Sequence, residues 1–273
     1  MRGTSSASFD EALRQAETVF RTVSGSGPLE PLAEELFSTA DAVDGSNQLV
    51  RLLSDPGRPA AVKEEAVRSL FAGRISAEAL ELLLEVVRRR WSEQEDILDA
   101  LELLGVSALL AQAESEGVLE QVEVELFQVK RLIDGSGELT GALDGERENP
   151  GRRAQILSTL LSGRTHRLTA ALAARAAGRR SDVKPARRVA ELASFASERR
   201  RRALASVSSA VPLSEAQQGR LSGILAGLYG RQVQMNFQVD PDVVGGLRIQ
   251  VGDDLYDATV LARLAQARRQ LVA

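Results

Sequence analysis

The chain has 273 residues, a formal net charge of −4, no cysteine and one histidine, and 44% of its residues are hydrophobic. The absence of cysteine excludes disulfides, thiolate metal sites and cysteine nucleophiles, and it favours a cytosolic protein. No segment approaches the roughly 18–20 apolar residues that span a bilayer, and the N-terminus does not read as a signal peptide. We therefore expect no direct membrane insertion, so that partners hold the protein at any membrane where it works.

Charge is distributed unevenly along the sequence. Residues 81–148 contain 17 acidic and six basic residues, whereas residues 152–202 contain 14 basic and three acidic residues. Such polarity indicates docking of a partner or contact between modules, although solvated helix faces would give the same pattern.

An internal repeat with an offset of 90 residues organises the first two thirds of the chain. Three blocks recur in this register: Glu35-Leu36-Phe37 as Glu125-Leu126-Phe127, Asp44-Gly45-Ser46 as Asp134-Gly135-Ser136, and Leu70, Gly73 and Arg74 as Leu160, Gly163 and Arg164. Because three separate blocks share one offset, we predict two copies of the same structural unit.

Each copy is predicted to be a series of short amphipathic helices. In the first copy these cover residues 9–23, 28–43, 46–53, 59–71 and 76–90, and a longer helix begins at Ser92 or Glu93. Ser46 and Ser76 are suitable N-caps, and Gly73 lies where a C-cap glycine is expected. The second copy repeats this order through residue 202. Helices this short are stable only when their apolar stripes pack together, which predicts a compact bundle for each copy.

The pattern changes after residue 202. A partly alternating segment over 204–211 precedes a helix that begins at Ser214, with Gln217 at capping-box spacing. This helix carries Leu221, Ile224, Leu225 and Leu228 on one face. Strict alternation over 232–239 predicts a half-buried strand.

The remaining C-terminal residues predict a hairpin and a last helix. Residues 247–251 alternate as a second strand after Gly245-Gly246, residues 252–254 form a turn, and a return strand starts at Leu255. An apolar stripe of Val260, Leu264, Ala267 and Leu271 predicts a helix over 257–271. The order β-α-β-β-α predicts a small α+β module.

These C-terminal residues resemble the delta subunit of bacterial F-type ATP synthases, whose mitochondrial relative is the oligomycin-sensitivity-conferring protein. The resemblance rests on residues 208–214 and, more strongly, on residues 239–253. The signature positions, to which it gives a structural or partner-binding role, are Pro212, Asp240, Pro241, Gly245, Gly246, Val251, Gly252 and Asp253.

Residues 106–134 also resemble the family's first two helices, so the resemblance covers about residues 106–273. The extra first copy departs from most members but is similar to actinobacterial forms, some of which are fused to a stalk subunit. We therefore divide the chain into a first helical bundle over 1–105, a second over 106–202 and an α+β module over 203–273.

The resemblance implies a non-catalytic stator subunit that works at the cytoplasmic face of the bacterial plasma membrane. Its bundle would bind N-terminal segments of alpha subunits and other parts of the catalytic head. Its C-terminal module would bind the C-terminal helix of the b subunit, so that rotation is coupled to proton transport and ATP synthesis. We expect no catalytic, cofactor-binding or metal-binding residues.

Two alternative functions compete with this interpretation. The first is a helical adaptor or regulatory module that binds nucleic acid through the basic second bundle and Arg199–Arg202, although no base-reading motif accompanies these arginines. The second is an enzyme with an unrecognised carboxylate site. We expect His166 to have a surface or capping role at a helix start and Trp91 to be partly buried in packing, although Trp91 could instead mark a binding surface in the first copy.

Overall fold

The computed structural model describes residues 3–146, 149–180, 183–229, 233–241, 243, 245–251 and 254–258. These residues form helices α1 to α12 and strands β1 to β4. The helices are α1 Thr4–Ser24, α2 Glu30–Asp44, α3 Asn47–Ser54, α4 Ala60–Phe71, α5 Ala77–Arg88, α6 Gln94–Ser115, α7 Leu119–Gly135, α8 Gly137–Gly145, α9 Pro150–Leu161, α10 Arg167–Gly178, α11 Pro185–Ala203 and α12 Glu215–Tyr229. The strands are β1 Leu204–Ser209, β2 Gln234–Val239, β3 Leu247–Val251 and β4 Asp254–Asp257. The predicted fold class, mainly α with a small α+β module at the C-terminus, is confirmed.

The repeat is visible in the helix boundaries and in the residues that end each helix. The bounds of α4 and α5 recur in α9 and α10 with an offset of 90 residues. Ser46 caps α3 by accepting a hydrogen bond from the backbone N–H of Leu49, and Ser136 caps α8 in the same way. Gly73 and Gly163 follow α4 and α9 with φ of 75° and 68°, in the left-handed region that favours glycine.

Both copies also use a distant glutamate to complete a helix N-terminus. In the first copy, the Glu35 carboxylate on α2 accepts a hydrogen bond of 3.1 Å from the backbone N–H of Ser76, the N-cap of α5. In the second copy, Glu125 on α7 accepts bonds from the His166 backbone N–H at 2.8 Å and from the Thr169 hydroxyl at 2.6 Å. Each carboxylate thereby satisfies a backbone donor that the helix itself leaves unpaired.

Helix α6 belongs to both copies. It is the sixth helix of the first and the first helix of the second, so the division expected between residues 105 and 106 falls inside it. Nearly every residue from Ile97 to Ala113 is buried, as expected for a helix that is packed on all sides. Contacts place Met1–Leu192 in one compact unit, which contains both copies up to the first part of α11.

The second compact unit, Ala193–Ala273, contains a four-stranded sheet in the order β2-β1-β3-β4. Strand β1 pairs in parallel with β2 and antiparallel with β3, which pairs antiparallel with β4. The return strand predicted to start at Leu255 is β4, so the module has four strands rather than the three in the predicted order β-α-β-β-α. The helix predicted over 257–271 lies largely outside the described residues.

The core of this unit forms between the sheet and α12. It contains Ala205, Val207, Leu221, Leu225, Val233, Ile249 and Val251. One of the two hydrogen bonds of the predicted capping box at α12 is present: the Gln217 side chain accepts a 2.9 Å hydrogen bond from the Ser214 backbone N–H. Ser214 Oγ also donates a hydrogen bond to the Gln217 side chain.

Candidate partner-binding surfaces

Most signature residues of the C-terminal module lie together at one end of its sheet. Pro212 follows the end of β1, while Asp240 and Pro241 follow the end of the parallel strand β2. The Asp240 backbone N–H donates a 2.9 Å hydrogen bond to the Ser209 carbonyl and so joins these two strand ends. This hydrogen bond fixes the start of the connection from β2 to β3 beside the end of β1.

The two glycines of the signature complete this connection. Gly245 and Gly246 have φ of 68° and 82°, which side chains with a Cβ rarely adopt, and they lead directly into β3. Val251 lies at the far end of β3, where it pairs with Ala205 and Asp254 and is buried. Gly252 and Asp253 lie outside the described residues. The positions that can be placed therefore build turns and core, and their part in partner binding stays a prediction.

Helix α12 carries an apolar surface that the sheet does not cover. Of the four residues predicted to share one face, Leu221 and Leu225 are buried, whereas Ile224 and Leu228 are 66% and 59% exposed. A Cβ built at Gly219, Gly223 or Gly227 meets no atom within 4 Å, so the helix backbone is open beside them. Exposed apolar residues one turn apart are typical of a helix-docking surface.

In the first unit, a charged cluster joins the two copies. Arg175 on α10 lies between Asp41 on α2 and Glu102 on α6, with nitrogen–oxygen distances of 2.7 and 2.6 Å, and its guanidinium stacks 4.6 Å from the Phe37 ring centroid. Burial by itself lowers the pKa of Arg175, but hydrogen bonds to the two carboxylates outweigh it and raise the pKa. The site is therefore a permanent positive charge neutralised by two acids.

Two more arginines flank this cluster. Arg167, at the start of α10, pairs with Glu30 on α2 at 2.7 Å and with Glu116, which follows α6. Arg179, at the other end of α10, pairs with Asp99 on α6 at 2.6 Å. Some of the basic residues in 152–202 thus pair with acidic residues of the first copy. This agrees with the interpretation of the uneven charge distribution as contact between modules. Arginines paired in this way have less capacity to bind nucleic-acid phosphates.

Other residues singled out in the sequence have mainly structural roles. His166 is the N-cap of α10, and its Nδ1 accepts a 3.3 Å hydrogen bond from the Leu168 backbone N–H. Trp91 is buried, and its indole N–H donates to the Val86 carbonyl at 3.0 Å. Arg201 forms an exposed ion pair with Glu198 one turn earlier on α11. The packed Trp91 and the capping role of His166 confirm those predictions.

The described residues contain no group of three histidine or acidic side chains that could hold a metal ion. Within the same ranges, no helix is both long and apolar enough to cross a lipid bilayer.

Comparison with known proteins identifies the family. A family model described as the ATP synthase delta (OSCP) subunit matches residues 106–271, the second copy together with the sheet module. ATP synthase subunit delta of Beutenbergia cavernae is 41% identical over 99% of both chains. The same subunit of Kineococcus radiotolerans is 40% identical over 87% of this chain and 86% of its own, and that of Streptomyces avermitilis is 38% identical over 89% of both. The chain therefore belongs to the ATP synthase delta (OSCP) subunit family and, as such, is a peripheral-stalk subunit of an F-type ATP synthase.

Proposed function

We propose that this chain is a non-catalytic stator subunit that links the alpha/beta catalytic head to the b-subunit stalk at the cytoplasmic face of a bacterial plasma membrane. The observation that carries this proposal is the family match over 106–271, which includes a helical bundle and a separate sheet module. Two folded units in one chain provide one surface for the head and another for the stalk. Holding the two together resists the torque of the rotor without any chemical step.

The C-terminal unit binds the C-terminal helix of the b subunit through α12. Ile224 and Leu228 supply the exposed apolar contact, and the open backbone beside Gly223 and Gly227 allows a second helix to approach closely. Fully burying a large aliphatic side chain is worth about 1.5–3 kcal/mol, so two such residues account for a major part of a stable helix contact.

This contact is tested by calorimetric titration of the full chain with a peptide copying the C-terminal helix of the b subunit. Replacing both Ile224 and Leu228 with serine should weaken binding about 100-fold, because about 3 kcal/mol of apolar burial is lost. The matched control replaces Val62 and Leu70, two exposed apolar residues of α4, with serine and should bind as the unchanged chain does. Equal affinities for both double variants would contradict this site.

Deletion of residues 204–273 independently tests whether the C-terminal unit, rather than the helical unit, binds the b subunit. The shortened chain should lose b-peptide binding while its helical unit keeps its helix content and cooperative unfolding, as followed by circular dichroism. Retained binding to the b peptide would place the stalk contact in the bundles instead.

The helical unit binds N-terminal segments of alpha subunits, which add to it as helices. The second copy is the assigned site because it lies within the family match, whereas the first copy lies outside it. A peptide copying the alpha N-terminus should bind the full chain in calorimetry, with a scrambled peptide as the control. Absence of any heat of binding at high micromolar concentration would contradict this part of the proposal.

A further inference from the structure

The N-caps of α5 and α10 occupy the same repeat position but differ in chemistry. Ser76 caps α5 in the first copy, where its hydroxyl accepts a 3.2 Å hydrogen bond from the backbone N–H of Ala79. His166, 90 residues later, caps α10, where Nδ1 accepts a 3.3 Å hydrogen bond from the backbone N–H of Leu168. A hydroxyl accepts hydrogen bonds at any pH near neutral, whereas an imidazole nitrogen stops accepting once it takes up a proton.

The cap of α10 is therefore the one that a proton can break. His166 is the single histidine of the chain, and histidine is the side chain that ordinarily titrates near neutral pH. Protonation puts a hydrogen on Nδ1, so that this N–H and the backbone N–H of Leu168 become two donors that face each other. It also puts a positive charge at the N-terminus of α10, where the helix dipole disfavours cations. The protonated ring cannot keep its place in the cap.

A carboxylate lies close enough to receive the protonated ring. Oε2 of Glu116, which follows α6, is 3.8 Å from Nε2 of His166. A hydrogen bond from Arg167 and a weaker contribution from Gln112 lower the pKa of Glu116, so this carboxylate stays ionised at the pH values where an imidazole titrates. An ionised carboxylate within 4 Å favours the charged form of the ring.

Two further charged groups lie beside His166. Glu125 on α7 accepts a 2.8 Å hydrogen bond from the His166 backbone N–H and adds a second negative charge. Arg167, the next residue, pairs with Glu116 and with Glu30 on α2, so the same carboxylate already serves a cation that reaches the first copy. In the first copy the positions of His166, Glu116 and Arg167 are held by Ser76, Ser26 and Ala77, which do not titrate.

We propose that His166 is a pH-responsive cap, which closes the first turn of α10 when neutral and moves to Glu116 when protonated. In this change of partner the Leu168 N–H loses its acceptor, and Glu116 is shared between the imidazolium and Arg167. Since Arg167 also contacts Glu30, acidification acts at a point where the two copies meet. The cap of α5, with its hydroxyl, stays closed over the same pH range.

Nuclear magnetic resonance of the full, untagged chain tests the cap between pH 5 and pH 8. The chain has one histidine, so one imidazole Cε1–H signal reports its protonation. Hydrogen-exchange protection of the Leu168 amide, taken relative to an unfolded chain at each pH, should fall about 5-fold with the same midpoint as the imidazole signal, because a helix cap is lost. The Ala79 amide in the same sample is the internal control, and its protection should stay constant.

The variant His166→Ser puts the residue of the first copy in this position. Its Leu168 protection should not change between pH 5 and pH 8. A protection of Leu168 that is constant in the unchanged chain while the imidazole titrates overturns the proposal. An equal fall in His166→Ser, or a fall at Ala79 of the same size, also overturns it, because the pH dependence would then arise elsewhere.

Removal of one negative charge tests the second partner. Glu116→Gln keeps the size of the side chain but not its charge, and it should move the midpoint of the imidazole signal down by about 0.5 pH unit or more. Glu78→Gln is the matched control, because it removes an exposed carboxylate from the first turn of α5, and it should leave the midpoint unchanged. Equal midpoints in the two variants would show that Glu116 does not receive the ring.

Discussion

The two helical copies share a glutamate that completes a helix N-terminus but have different surfaces. Glu35 and Glu125 complete the N-termini of α5 and α10 in the same manner. Phe37 and Phe127 occupy the same repeat position, yet the first is buried and the second is exposed. The carboxylate that pairs with a helix N-terminus is therefore the same in both copies, whereas the exposure of the helix surface differs between them.

The largest expected effect comes from breaking the ion pairs that Arg175 makes between the two copies. Arg175→Met leaves the buried carboxylate of Glu102 without its cation, which should destabilise the helical unit by about 3 kcal/mol, measured by urea unfolding. Arg187→Met removes an exposed arginine that pairs with the exposed Glu191 one turn later, and it should change stability by less than about 0.5 kcal/mol. Similar losses in the two variants would show that Arg175 adds nothing beyond a surface ion pair.

A second test concerns the close packing of α2 on α6. A Cβ at Gly105 would lie 2.5 Å from Cε1 of Phe37, so Gly105→Ala should destabilise the protein by about 1–2 kcal/mol despite the better helix propensity of alanine. Gly141→Ala is the same change in α8 with no atom within 4 Å, and it should stabilise by about 0.5–1 kcal/mol. Thermal unfolding that gives the two variants shifts of the same sign would contradict the packing argument.

The shared capping device should have similar value in both copies. Glu125→Ala leaves the His166 N–H and the Thr169 hydroxyl without their partner, and Glu35→Ala does the same to Ser76. Each should cost about 1–2 kcal/mol in urea unfolding. The control Glu34→Ala, at an exposed position beside Glu35, should be nearly neutral. A large loss of unfolding free energy in one of these variants and none in the other would show that the two glutamates are not equivalent.

The smallest effect is a dependence on pH that Glu125 introduces. Burial by itself raises the pKa of Glu125, but hydrogen bonds from Thr169, Gln121 and the His166 backbone outweigh it and lower the pKa below the ordinary 4.5. A carboxyl with a lowered pKa contributes stability above its unfolded-state value and loses it as the pH falls further. The stability difference between the unchanged chain and Glu125→Ala should therefore narrow below pH 4.5. A difference that is constant from pH 7 to pH 3 would contradict this.

Local signals made most of the fold predictable. Ser46, Gly73 and their counterparts mark helix ends through bonds and dihedral angles that depend on nearby residues only. The 90-residue offset then extended each assignment to the other copy. In the C-terminal module, strict alternation over 232–239 and 247–251 located β2 and β3.

Features that depend on distant residues were not predictable in the same way. Arg175 and Asp41 are 134 positions apart, and no local pattern marks their contact. Ile224 and Leu228 carry the same periodic signal as the buried Leu221 and Leu225, because residues three and four positions apart lie on one side of a helix whether or not the sheet covers them. The sharing of α6 was missed although only four of the 17 residues from Ile97 to Ala113 are polar or charged, a composition that could have indicated a helix packed on all sides.

The shared helix α6 determines how the two helical copies are joined. Its 22 residues span about 33 Å without a break, and they belong to the core of each copy. Bending one copy against the other at this junction would require α6 itself to bend, and α6 contains no proline, the commonest cause of a sharp kink. Because one continuous helix contributes to the core of both copies, no flexible linker separates them at this junction.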